Sequence, residues 1–165
     1  MNYKGILSPD GKCKSFDESA NGYVRSESVS IVFLQKAKNA RRVYATVIHG
    51  KTNFDGFKEQ GVIVSSTHGQ TTLMQELYME CRISPHLVDY IEANGTGSIV
   101  GDLEELKALE KVFCRKRKIP LKIGSGKSSF GHAESASGLC SIAKVSLSRS
   151  IRYRITHWLS NITLK

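Results

Sequence analysis

The sequence predicts an α/β fold: a mixed, largely parallel sheet with helices packed on its faces. Three observations lead there. Val88 to Ala93 reads as a strand that runs into a glycine-rich loop, followed by an amphipathic helix over Gly101 to Phe113. The pattern then repeats, with a short strand from Leu121 to Ser125, a second loop, and a long helix from about Glu134 to Ser148. Upstream, β-branched and aromatic residues collect in two runs. Strands that alternate with helices place the loops between layers and make most strand pairs parallel.

Each element has its own justification. Ser28 to Gln35, with Val29, Ile31, Val32, Phe33 and Leu34, predicts a buried strand, and Val43 to Ile48 predicts another. Lys36 to Arg42 between them is too short and polar for more than a turn or helical fragment, and Gly50 to Gly61 is a polar loop. His68 to Cys81 places Leu73, Leu77 and Cys81 on one helical face. Ser84-Pro85 fits an N-cap followed by proline at the first helical position. Over Gly101 to Phe113, Leu103, Leu106, Leu109, Glu110 and Phe113 give the pattern of an amphipathic helix. The last helix is rich in small residues (Ala133, Ser135, Ala136, Ser137, Gly138, Cys140, Ser141, Ala143), which predicts close packing on more than one side. Residues 149–165 show no clear period and form an unassigned tail behind a unit spanning 1–148.

Composition narrows the function. A chain of 165 residues with 40% hydrophobic and 24% charged residues has the makeup of a soluble globular domain. The formal charge is +9, much of it in Lys111, Arg115, Lys116, Arg117 and Lys118. A solvated helix end favoured by the helix dipole accounts for that cluster, with docking of an acidic partner as the functional alternative. No aromatic residues interleave with these charges, which argues against nucleic acid. Cys13, Cys81, Cys114 and Cys140 form no C-x-x-C pair and have no histidine at ligand spacing, which argues against zinc. No signal peptide appears at the N-terminus and no apolar run reaches the ~18 residues of a membrane span, so a cytoplasmic protein is expected.

Both loops lie where α/β proteins hold ligands, at the carboxyl ends of strands. Two nucleotide motifs fail there. Gly126-Lys127-Ser128 resembles the end of a P-loop, but Leu121 stands where that motif needs glycine. Gly95-Thr96-Gly97 could open a dinucleotide fingerprint, but its third glycine falls one residue late, at Gly101.

The loops read Glu92-Ala93-Asn94-Gly95-Thr96-Gly97-Ser98 and Lys127-Ser128-Ser129-Phe130-Gly131-His132-Ala133-Glu134. In this order they resemble the histidine-bearing loops E-A-H-G-T-G-T and K-S-N-x-G-H of the β-ketoacyl synthases, the condensing domains of fatty acid and polyketide synthases. The resemblance runs from about residue 5 to 148. It takes in Asp10 to Asp17, Asn21-Gly22-Tyr23-Val24-Arg25-Ser26-Glu27 and Asn53-Phe54-Asp55-Gly56. Lys58-Glu59-Gln60-Gly61, Tyr90-Ile91-Glu92-Ala93 and Gly131 to Gly138 point to the animal type I fatty acid synthase branch.

The resemblance implies the C-terminal half of a thiolase-like condensing domain, with the site between two halves and a dimer in the complete enzyme. It implies decarboxylative condensation of malonyl and acyl thioesters. No cofactor is bound by the domain itself; substrates arrive on the phosphopantetheine arm of an acyl carrier protein. His132 and Lys127 match catalytic positions, and Asn94 stands where the family has its first histidine. Thr96 and Ser98 match hydroxyl positions that contact the phosphopantetheine arm, and Glu134 is a candidate orienting partner for His132. The nucleophilic cysteine belongs upstream, and none of the four cysteines matches it. Asparagine keeps a neutral donor but cannot shuttle a proton near neutrality, so impaired catalysis is expected of the isolated chain. The competing reading is a degenerate or truncated fragment that at most binds a partner. An independent thioesterase or acyltransferase lacks support, because no G-x-S-x-G elbow is present.

Overall fold

The computed structural model describes residues 6–58, 65–150 and 163–164. Its centre is a three-stranded mixed sheet in the order β1-β2-β3. Strand β1 (Tyr90–Glu92) pairs in parallel with β2 (Leu121–Gly124), Ile91 opposite Ile123, and β2 pairs antiparallel with β3 (Thr163–Leu164). Strand β3 falls within the unassigned tail, most of which lies outside the described residues, as do residues 59–61 of the polar loop.

Helix α1 (Thr67–Cys81) starts where Ser66 Oγ accepts the Gly69 N–H at 2.9 Å. It ends at Arg82, which takes the left-handed conformation (φ 55°) and donates its N–H back to Met79 O. Helix α2 (Ile99–Leu109) begins two residues before the predicted Gly101, because Ser98 caps it. It continues into a π-helical turn over Glu110–Cys114. Ala93, Leu109, Phe113, Cys114, Leu121 and Ile123 form the core, with Met74 and Tyr78 of α1 packed against it. The Tyr78 and Phe113 rings meet edge to face, centroids 5.3 Å apart. Leu103 departs from the predicted apolar face and is exposed. In the basic turn, Arg117 donates to the carbonyls of Pro85, Val88 and Ile119, so this cation staples two loops while Lys111, Arg115, Lys116 and Lys118 stay exposed.

The two upstream strands are the main correction. Residues 28–35 and 43–48 are not strands; only a short 3₁₀ turn (Ala37–Asn39) lies between them. Val29 and Ile31 are each 91% exposed, and Phe33, Leu34, Val47 and Ile48 are also exposed. The reason is physical. A strand is stabilised by cross-strand pairs and a buried face, and the described residues pair no neighbour with either run. The last helix forms as a 3₁₀ turn (Glu134–Ala136) leading into α4 (Ser137–Ser150). The short helix α3 (Lys127–Phe130) precedes it. Leu139, Ile142 and Leu147 of α4 are exposed, so among the described residues the helix is covered on one side and open on the other.

The glycine loop after β1 is held from two sides. Asp102, 4% exposed in the first turn of α2, accepts N–H bonds from Thr96 (3.0 Å), Gly97 (3.1 Å) and Phe16 (2.9 Å). Phe16 belongs to the N-terminal segment, whose Ser15 Oγ also donates to Gly95 O. Gly97 has φ 85°, and a Cβ there would meet Gly22 O and Lys14 N at 2.9 Å. Only glycine fits so close an approach.

Two outcomes follow. Asp102→Asn leaves a single oxygen to accept these N–H groups and should cost about 1–3 kcal/mol of stability, the usual cost of a buried donor left unpaired; urea melts check this. The exposed apolar side chains over 29–57 favour association, so sedimentation should show concentration-dependent self-association of the purified chain. A sharply monomeric species that does not bind ANS would contradict it.

Candidate functional site

The site is built where the loops after β1 and β2 meet. Ala93 N–H extends the β1–β2 ladder by donating to Gly124 O at 2.7 Å, so the chain leaves both strands side by side. Asn94 follows directly. Its backbone N–H and that of Gly95 donate to the two carboxylate oxygens of Glu105, at 2.7 and 2.9 Å. On the second loop, Ser125 Oγ donates to Asn94 O at 3.0 Å. Gly126 N–H donates to Glu92 Oε1 at 2.6 Å.

Lys127 is the centre of the arrangement. It is 4% exposed, and its ammonium donates to Asn94 O at 2.9 Å and to Asn94 Oδ1 at 3.1 Å. Burial pulls its pKa below the ordinary lysine range, while the carboxylates of Glu105, Glu92 and Asp102 hold the proton on. An ammonium has donors only, so the Asn94 amide must turn its oxygen toward Lys127. Its NH2 group then faces the other way, as a donor.

His132 sits at the end of the second loop. Its backbone is pinned to the N-terminal segment: His132 N–H donates to Val24 O at 2.7 Å, and Ser26 N–H donates to His132 O at 3.1 Å. Its Nδ1 accepts the backbone N–H of Glu134 at 3.3 Å. The neutral ring therefore carries its proton on Nε2. Burial, and then the charge of Lys127, push the pKa of His132 down; Glu134 opposes them. A neutral imidazole with an Nε2–H donor is the resting form. The Tyr23 and His132 rings meet edge to face, centroids 5.2 Å apart.

The other sequence candidates are placed nearby. Thr96 lies between the two loops' anchors, its Oγ1 3.5 Å from Asp102 Oδ1 as donor, which leaves its lone pairs to accept. Ser98 Oγ accepts from Gly101 N–H at 3.4 Å, so its hydroxyl proton is left to donate. Glu134 reaches His132 through its backbone; its carboxylate instead accepts from Tyr23 OH (3.1 Å) and Arg25 (3.2 Å). No sequence motif marks Asp102 or Glu105 as site residues, and Glu92 enters only as the first residue of the glycine-loop motif. Burial pushes the carboxyls of Asp102 and Glu105 up, against the pull of the backbone N–H groups. The available signal was two acids one turn apart at the start of a helix that follows a glycine loop. Glu92 also accepts from Tyr90 OH and Lys144 Nζ, which ties β1 to α4.

The cysteines are placed too. Cys13 and Cys114 are buried and burial raises both thiols, which keeps them protonated and inert. Cys140, on α4, is hydrogen bonded to Ser28 at 3.1 Å and to Ser30 at 3.6 Å, bonds that pull its thiol down. Among the described residues no cluster of three metal-ligating side chains occurs, and no helix is long and apolar enough to cross a membrane.

The site and fold have clear relatives. Residues 44–159 match the β-ketoacyl synthase C-terminal domain, and residues 1–40 match the β-ketoacyl synthase N-terminal domain. A fatty acid synthase of Anser anser anser is 51% identical over 144 residues, covering 87% of this chain and 41% of that protein. A reducing polyketide synthase of Cochliobolus heterostrophus is 40% identical over 148 residues, covering 87% of this chain and 6% of that one. The ketosynthase from module 6 of the bacillaene synthase of Bacillus subtilis 168 superposes with a TM-score of 0.80 at 33% identity. That match covers 91% of this chain and 28% of the ketosynthase. The oxazolomycin ketosynthase domain OzmH KS7 of Streptomyces albus JA3453 gives 0.78 at 33%, covering 88% and 26%. The chain thus spans less than half the length of these relatives. With a thiolase-like α/β fold and these matches, the chain belongs to the β-ketoacyl synthase family.

Proposed function

We propose that this chain carries the decarboxylating half of a β-ketoacyl-acyl carrier protein synthase site, as part of a cytoplasmic, animal-type fatty acid synthase. The observation that carries the reading is the bond from Glu134 N–H to His132 Nδ1, because it leaves the neutral ring's proton on Nε2 as a donor. In the reaction, malonyl thioester loses CO2 and its thioester oxygen takes up the charge of an enolate. His132 Nε2–H and the Asn94 NH2 group donate to that oxygen. Fixed donors of this type lower the barrier because they need no reorganisation as charge develops. The enolate carbon then attacks an acyl thioester carbonyl, and the cysteine sulfur leaves as thiolate.

That cysteine comes from the remaining half of the domain, since Cys13 and Cys114 are buried thiols and no cysteine here occupies the family's position. The malonyl group arrives on the phosphopantetheine arm of an acyl carrier protein. Ser98 OH is set to donate to that arm and Thr96 Oγ1 to accept from it. The complete domain works as a dimer.

Asn94 at the first histidine position favours a second reading, a degenerate ketosynthase that binds its carrier protein without turnover. Joining the chain to the upstream ketosynthase half of a close relative separates the two. The measurements are CO2 release from malonyl thioester and full condensation. His132→Ala should lower CO2 release ~10²–10³-fold, the usual cost of one oxyanion donor. Asn94→Ala should cost a similar factor, and Asn94→His should raise condensation by restoring a proton-shuttling ring. Protonation of His132 turns Nδ1 from an acceptor into a donor, which breaks the bond from Glu134 N–H that positions the ring, so the acid limb of the pH profile should lie below the ordinary histidine range, where the lowered pKa puts that protonation. CO2 release unaffected by His132→Ala would overturn the proposal, whereas no turnover even with Asn94→His would favour the degenerate reading.

A further inference from the structure

Glu134 occupies an uncommon backbone state. It is a non-glycine residue at φ 47°, in the left-handed region that side chains with a Cβ rarely adopt. Gly131, three residues earlier, is also left-handed (φ 77°), and a Cβ there would lie 3.0 Å from Ser26 Cβ and 3.1 Å from Val24 O. The turn carrying His132 is therefore bent sharply against residues 24–26. This bend points the Glu134 N–H at His132 Nδ1. Ser137 holds the Glu134 carbonyl locally, through its Oγ at 2.6 Å and its N–H, but the Glu134 side chain is held from far along the chain.

The holders are on the page. The Glu134 carboxylate accepts from Tyr23 OH at 3.1 Å, and Arg25 Nε and Nη2 each lie 3.2 Å from its two oxygens, a forked, charge-assisted contact. Between Tyr23 and Arg25, Val24 O accepts the His132 N–H, so one segment grips both the ring's own backbone and its hydrogen-bond partner. Arg25 also faces the carboxylate nearest His132, offsetting a negative charge that would otherwise favour the imidazolium.

We propose that Tyr23, Arg25 and Glu134 form a positioning clamp: by holding residue 134 in the left-handed conformation, they fix His132 in its Nε2–H form. None of the three touches the reacting atoms; they act through the histidine. This rests on the proposed donor role of His132, but the tautomer is read without substrate, so either idea can fail without the other.

The test is the 15N spectrum of the imidazole in the labelled full chain at about pH 8, above the ordinary histidine range, together with amide exchange at residue 134. The parent should show one Nε2–H tautomer and a protected Glu134 N–H. Glu134→Ala should mix the tautomers and lower that protection about tenfold or more, the effect of losing charge-assisted contacts. Glu134→Gln, whose oxygen still accepts from Tyr23 and Arg25, should restore most of both. The double variant Tyr23→Phe, Arg25→Gln approaches from the other side and should reproduce Glu134→Ala if the latter fails to fold. A proton found on Nδ1 of the parent, or a single tautomer with full protection in the variants that remove the clamp, would overturn the proposal.

Discussion

The buried ammonium of Lys127 joins the two loops, and the geometry of the site depends on it. It bonds both oxygens of Asn94 at once. That contact adds to the bonds that hold the loops after β1 and β2 together, and it decides which way the Asn94 amide faces. The same charge helps keep His132 neutral. One cation thus acts on two proposed donors of different kinds: an amide turned by a hydrogen bond, and an imidazole that burial keeps neutral with the help of its repulsion. Burying an ammonium is costly unless it is paired and hydrogen bonded. Here Glu105, Glu92 and Asp102 supply the compensating field, although none of them bonds the ammonium directly.

Those carboxylates also shape the loop. Asp102 and Glu105 project from one face of α2 and gather backbone N–H groups of Asn94, Gly95, Thr96, Gly97 and Phe16. Glu92 does the same for Gly126 on the second loop. Backbone donors that would otherwise face a buried carbonyl-poor space are satisfied by charge-assisted bonds, the stronger kind. The loops are thereby pinned without regular structure, which suits the proposed site, whose donors must keep a fixed spacing. The N-terminal segment contributes twice, closing over Gly95 and Gly97 and holding the turn at His132. Residues matched by the N-terminal-domain family model thus help build a site on the C-terminal domain.

Much of this was legible in the sequence, and the division is physical. Strands β1 and β2 and helices α1, α2 and α4 announced themselves through period, caps and flanking glycines, all of which act over a few residues. Asn94, Lys127 and His132 were visible because their loops keep a spaced motif. Residues 28–35 and 43–48 read as strands because β-branched residues favour extended backbone, yet strand formation is settled by partners far along the chain. Asp102 and Glu105 carry no motif in the sequence, and only the folded loop shows what they accept. Glu134 is the subtlest case. A carboxylate beside a histidine suggested side-chain orientation, whereas the ring is met by the backbone N–H and the carboxylate is held by residues more than a hundred positions away.

The claim that one cation sets both donors is tested most directly by titrating His132 in the full chain by NMR, in the parent and in Lys127→Met. Methionine has similar length and fills the buried space without charge. The parent should titrate below the ordinary histidine value of about 6.5. Removing the nearby positive charge should move the pKa of His132 upward while burial still holds it down, and should free the Asn94 side-chain amide, seen as altered NH2 shifts and faster exchange. An unchanged or lower His132 pKa in Lys127→Met, with the Asn94 amide undisturbed, would contradict the account.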